Sequence, residues 1–210
     1  EMGETAPQIW QKLRLKNINL AYDVGSEFAL KDINLEIRRG ETVFLIGKNG
    51  SGKSTLFMIL AGLLTPKSGE MFADDVKITE ANLKSYANTI SAVFSDFYLF
   101  DEVMSDDEAL IEWLLKKMSI ENKVSVKDGN FSTLNLSQGQ KKRLAMVAAL
   151  LERRKFLILD EWAADQDPEF RRHFYTKFLP ELKVRGYTVF AISHDDAYFE
   201  EADKIYEIQN

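Results

Sequence analysis

Residues 47–55 read GKNGSGKST and follow directly on the apolar run Thr42, Val43, Phe44, Leu45, Ile46. Few short stretches constrain a fold so tightly. A strand ending in Gly47, four residues, Gly52, Lys53 and Ser54 gives a glycine-rich turn whose backbone N–H groups can wrap a polyphosphate. The helix expected next carries Leu56, Leu60, Leu63 and Leu64 on one face and points its positive N-terminal end at the same phosphates. Gly47, Lys48, Asn49, Gly50, Ser51, Gly52, Lys53, Ser54 and Thr55 therefore read as a phosphate loop. Lys53 is expected to reach the β- and γ-phosphates as a mobile charge, and the Ser54 hydroxyl to take a place on a magnesium ion.

The remaining pattern alternates strands and helices. Leu13, Leu15, Ile18, Leu20 and Tyr22, then Phe28, Leu30, Ile33, Leu35 and Ile37, predict two strands joined across residues 23–27. Strand signals return at residues 70–72, at Ile90, Ala92 and Phe94, in the continuous apolar run 156–159, at 188–192 and at 205–208. Leu144, Val147, Ala148 and Leu151 line one helix face, and Asp167 with Pro168 opens another helix. This order predicts an α/β fold with a mostly parallel sheet. Residues 1–8 read as a linker or tag remnant and 9–210 as one domain, with a mainly helical subdomain inserted at about 96–135.

Bulk properties narrow the function. At 210 residues and 45% hydrophobic content the chain can bury a sizeable core. A net charge of -6 argues against general nucleic-acid binding, and the lack of cysteine excludes disulfides and thiolate metal sites. No apolar run approaches the roughly 18 residues needed to cross a bilayer, so this stretch by itself reads as soluble. Its start at Glu1 reads as a piece of something longer.

Three further clusters carry chemistry. Asp160 and Glu161 end an apolar strand, where ligands bind in open α/β sheets; Asp160 could hold Mg²⁺ and Glu161 could take a proton from water, or the strand could simply surface there. Ser137 with Gln140 makes a capping box, and Ser137 with Gly139 could also meet a phosphate at that helix end. His194 follows the strand at 188–192 and could sense a γ-phosphate, while Tyr22 is either a strand aromatic or a platform for a base.

Taken together, Tyr22, GKNGSGKST, a loop after Phe94, LSQGQ (136–140), FLILDE (156–161), a turn at Asp167 and His194 resemble the nucleotide-binding domain of ABC transporters over nearly the whole chain. The resemblance implies the P-loop NTPase fold of the ABC type, with an antiparallel β subdomain. It implies ATP and Mg²⁺ as ligands, Tyr22 against the base, Asp160 and Ser54 on the metal, Glu161 as general base and His194 as switch. It also implies a head-to-tail homodimer in which the signature residues Ser137, Gly139 and Gln140 of one copy close on the nucleotide held by the other. Ser95 stands where the family usually has glutamine and is too short for that role unless a water or Asp96 helps. Ala164 and Asp165 replace the usual serine and alanine of the following turn. FSDFYLFD, LSQGQKKR and DEWAADQDP look like the subgroup that exports cyclic peptides and peptide siderophore precursors. The expectation is thus the motor of a half-type exporter on the cytoplasmic face of the membrane, partnered by transmembrane helices of its parent chain and with no nucleic acid. A soluble ABC ATPase of DNA repair or translation, or a non-hydrolysing ATP-gated module, are the alternatives.

Overall fold

The computed structural model describes residues 5–21 and 30–209. Its centre is a five-stranded parallel sheet in the order β11 (Lys204–Ile208), β3 (Thr42–Gly47), β10 (Thr188–Ile192), β9 (Phe156–Asp160) and β6 (Ile90–Val93). An antiparallel sheet of β1 (Lys12–Leu20), β2 (Leu30–Arg38), β4 (Ser68–Ala73) and β5 (Val76–Ile78) lies beside it.

The parallel strands read as unbroken apolar runs because both faces are covered. On β9, Leu157 and Leu159 enter one core while Phe156 and Ile158 enter the other; on β10, Val189 and Ala191 oppose Phe190 and Ile192 in the same way. The second core is filled by helix α1 (Lys53–Leu60) and by the inner face of the antiparallel sheet, including Leu13, Leu15 and Leu35. The first core is filled from α4 (Gln138–Leu151) and from the helical segment that follows β9. That segment runs from α5 (Pro168–His173) through a π turn into α6 (Leu179–Val184).

Residues 96–135 hold one α-helix, α3 (Glu108–Lys117), and a two-stranded hairpin of β7 (Val126–Lys127) and β8 (Asn130–Phe131). Ile111, Leu114 and Met118 share a core with Leu144 and Val147 of α4, so this segment is packed continuously onto the sheet. The short helix α2 (Leu83–Ala87) precedes β6.

Two details depart from the sequence pattern. Helix α1 stops at Leu60, and Gly62 turns the chain with φ 73, so Leu63 is 61% exposed instead of continuing the apolar face. In the stretch read as a linker, Ala6 is buried, and its carbonyl accepts a hydrogen bond from Ser85 Oγ at 3.2 Å.

Candidate functional site

Four adjacent strands deliver the chemistry to one edge, because a parallel sheet gathers its carboxyl ends together. β3 releases the phosphate loop, β10 releases Ser193 and His194, β9 ends in Asp160, and β6 leads to Ser95.

The loop is tightly folded around its lysine. Gly47 leaves no room for a side chain: a Cβ there would lie 2.7 Å from Ser51 Oγ and 2.8 Å from the Ile208 carbonyl. Lys53 is buried, and its Nζ donates to the carbonyls of Gly47 at 2.8 Å and Lys48 at 3.0 Å. An ammonium carries three donors, so one remains for a ligand. Gly52 caps α1 without a side chain, which leaves the first-turn N–H groups of α1 open to an anion. Helices α3, α4 and α5 instead have side-chain caps from Asp107, Ser137 and Asp167.

Ser95 Oγ donates to Asp160 Oδ2 at 2.9 Å, and Asp160 is buried. The short side chain thus reaches the carboxylate directly. Glu161 sits in the left-handed region at φ 48, a conformation that a non-glycine residue holds at a cost of about 1–3 kcal/mol. Its N–H donates to the Ile192 carbonyl at 3.2 Å, which fixes the turn across two strands. His194 Nε2 lies 3.0 Å from Glu161 Oε1. An ionised carboxylate only accepts, so the imidazole donates there and the second carboxylate oxygen stays available to water.

A frame of charged bonds holds this edge. Tyr175 hydroxyl bonds Ser193 Oγ at 2.9 Å and Asp195 Oδ2 at 2.8 Å, and burial pushes its phenol well above the usual range. Arg171 pairs with Asp195 at 3.2 Å and donates to the carbonyls of Ala164 and Gln166. Asp167 is held below the usual carboxylate range, first by the Phe170 N–H and then by the Arg143 guanidinium. Arg143 itself is lowered by burial, against the pull of Asp167.

Residues 30–164 match the family described as "ABC transporter". The chain belongs to the ABC transporter family. It is 43% identical over 209 residues to the ATP-binding protein SyrD of Pseudomonas syringae pv. syringae, a match covering 95% of this chain and 37% of that relative. It is 33% identical to the energy-coupling factor transporter ATP-binding protein EcfA1 of Thermotoga maritima, over 95% of this chain and 79% of that one. The dimeric structure of MJ0796, a bacterial ABC transporter cassette, superposes with a TM-score of 0.77 at 26% identity, covering 93% of this chain and 94% of that one. A post-hydrolysis state of MJ0796 bound to ADP and Pi gives a TM-score of 0.78, also at 26% identity, and covers 94% of each chain. The cassette is thus an ABC-type ATPase domain with the P-loop fold, and it spans little more than a third of SyrD's length.

Among the cassette's expected site residues, Tyr22 lies outside the described residues. The loop, Ser95, Asp160, Glu161 and His194 share one edge. Ser137, Gly139 and Gln140 open α4, where the reciprocal cap forms: Gln140 N–H donates to Ser137 Oγ at 3.3 Å, and Ser137 N–H donates to Gln140 Oε1 at 3.1 Å. Gly139 has a reason that the sequence did not supply, since a Cβ there would lie 2.9 Å from the Asp165 carbonyl. Lys142, Arg143, Gln166, Arg171 and Asp195 were missed. Each is a common charged or polar residue with a side-chain or carbonyl partner more than 15 positions away, so no local pattern marks it, although Arg171 also reaches the nearby carbonyls of Ala164 and Gln166.

Proposed function

We propose that this domain is the ATP-hydrolysing motor of a half-type ABC exporter, working as a head-to-tail homodimer beneath transmembrane helices of the same parent chain, at the cytoplasmic face of the membrane. The observation that carries the hydrolytic reading is the bond between His194 Nε2 and Glu161 Oε1 beside the Ser95–Asp160 pair. It presents one carboxylate oriented for a proton and a second braced for a cation. The donor set fits the ligands: the loop offers N–H groups and an ammonium to phosphates, and Ser54, Asp160 and Ser95 offer the oxygen ligands that Mg²⁺ takes. Bound there, Mg²⁺ would offset negative charge on the phosphates.

Lys53 and the open end of α1 hold the phosphates in place. Ser95 orients Asp160 by donating to Oδ2. Glu161 accepts a proton from water through the oxygen His194 leaves unbound, and His194 keeps the carboxylate from rotating. Ser137 of the second copy donates its hydroxyl, which is compatible with its cap because that oxygen only accepts from Gln140.

Export is supported by the ATP-dependent lipid A-core flippase of Psychrobacter arcticus, 32% identical over 98% of this chain and 37% of that relative. A peptide substrate is supported by FSDFYLFD, LSQGQKKR and DEWAADQDP, and residues 97–134 are the region proposed to meet the transmembrane helices. Glu161→Gln tests the assignment. It should lower steady-state phosphate release about 100-fold or more while the chain still dimerises on ATP; full turnover in that variant would remove Glu161 from the mechanism.

A further inference from the structure

The turn that joins α4 to β9 carries Arg153, Arg154 and Lys155, three cations in succession in a chain whose net charge is -6. Lys155 directly precedes β9, and Arg185 and Tyr187 lie just before β10, so they stand at the edge of the parallel sheet opposite Asp160 and Ser193. A strand of 5 residues keeps the two edges about 16 Å apart. Nothing at this edge takes part in the nucleotide chemistry described above.

A cavity of 380 Å³ opens there, and cavities of about 300–1,000 Å³ suit small ligands. Leu110 and Leu114 of α3, Leu150 of α4 and Leu182 of α6 give it an apolar lining, to which Trp113 and Tyr187 add two rings. Arg153, Lys155 and Arg185 line it too, against a single carboxylate among the described residues, that of Asp107. Asp107 is already engaged: one oxygen accepts from the Leu110 N–H at 2.9 Å and the other pairs with Arg153. The Arg185 guanidinium lies 3.9 Å over the Trp113 ring, and its pair with Glu181 is long at 3.4 Å because Glu181 is held by Lys117 at 2.6 Å. Lys155 Nζ lies 4.1 Å over the Tyr187 ring and donates to the Arg185 carbonyl at 3.1 Å, and no carboxylate of the described residues pairs with it. Its ammonium is held below the usual lysine range, first by partial burial and then by Arg185, Arg39 and Arg153. Cations gathered beside apolar surface repel one another, and an anion seated among them relieves that repulsion.

We propose that this cavity binds an amphiphilic anion, a carboxylate or phosphate head with a short aliphatic tail, its head on Lys155 and Arg185 and its tail against the leucines. A guanidinium stacked on a ring keeps its N–H edge for such a head. Binding there needs no nucleotide. A membrane lipid and a soluble acyl anion share this chemistry, and α3 belongs to the region proposed to meet the transmembrane helices.

Trp113 is the reporter at the site, since Trp10 and Trp162 are buried elsewhere. Octyl phosphate, kept below its micelle concentration, is titrated into the nucleotide-free chain while tryptophan emission is followed. Octylamine and inorganic phosphate serve as comparisons, each lacking one half of the ligand. Octyl phosphate should change the emission saturably, in a curve absent from Trp113→Phe, and both comparison compounds should need at least about tenfold higher concentrations. Lys155→Gln and Arg185→Gln should each weaken binding about tenfold, with thermal melting to check their fold. Arg185→Gln also alters the surroundings of Trp113, so Lys155→Gln decides alone where the two disagree. Sedimentation with phosphatidylglycerol vesicles but not with phosphatidylcholine vesicles identifies the head as that of a membrane lipid; octyl phosphate binding without sedimentation identifies a soluble amphiphile. No saturable change with octyl phosphate, equal binding of octylamine, or unweakened binding by Lys155→Gln overturns the site.

Discussion

Two helices of this cassette begin with residues proposed to meet the nucleotide, and the two starts are built oppositely. Helix α1 begins at Gly52 with no side-chain cap, and its first residue, Lys53, is folded inward onto the loop's carbonyls. Helix α4 begins at Ser137 with a closed reciprocal cap, and its first turns are bound to residues 161–167 through Gly139, Lys142 and Arg143. The end without a side-chain cap is the kind of helix start that suits a phosphate, as proposed for it above. The capped end has paired two of its donors, the N–H groups of Ser137 and Gln140, and keeps the Ser137 hydroxyl proton and the helix dipole for an external ligand. An open end suits a ligand held for the whole cycle, and a capped end suits one met and released as two copies approach and part.

Two changes sharpen this contrast. The larger effect is expected from Gly139→Ala. On an ordinary helix this change adds about 1 kcal/mol of propensity, but here the Cβ would press on the Asp165 carbonyl at 2.9 Å, and overpacking costs about 1–3 kcal/mol. The net should be a loss of about 1 kcal/mol, seen as a melting temperature lower by about 2–4 °C. A rise would mean that the α4 start and the 161–167 turn are not firmly joined. The smaller effect concerns Asp167, whose carboxyl is lowered by the Phe170 N–H and by Arg143. A depressed carboxylate contributes stability above its unfolded pKa and loses it as pH falls through the folded one. Asp167→Asn should therefore cost stability at neutral pH and less and less in acid, so the two melting curves converge below pH of about 4; a gap that stays constant with pH would remove the charge from the account.

Much of this was legible in the sequence, for identifiable reasons. The run 156–159 showed a doubly covered strand because its residues fill two cores alternately, and Ser137 with Gln140 showed a cap because capping is local. Pro168 after Asp167 marked the start of α5 in the same way. Ser95 illustrates the limit. As a departure from the family pattern it looked deficient, but its bond to Asp160 depends on how β6 and β9 sit side by side, which no local spacing encodes. Lys142 was invisible for the same reason: in LSQGQKKR it is one cation among three, and only the fold buries it against Asp165. Leu63 failed in the other direction, since the apolar spacing continues past Leu60 while Gly62 ends the helix.

The central claim is that the open end of α1 and the capped end of α4 complete one site only when they come from different copies. Mixing two crippled chains tests it directly. Lys53→Ala and Ser137→Ala should each release little phosphate alone. In an equimolar mixture roughly half of the dimers pair one of each, and one of their two sites then holds both an intact Lys53 and an intact Ser137. Phosphate release should recover to at most about a quarter of wild type in that mixture. A mixture no more active than its components would contradict the account, because Lys53 and Ser137 would then have to serve the same site from the same chain.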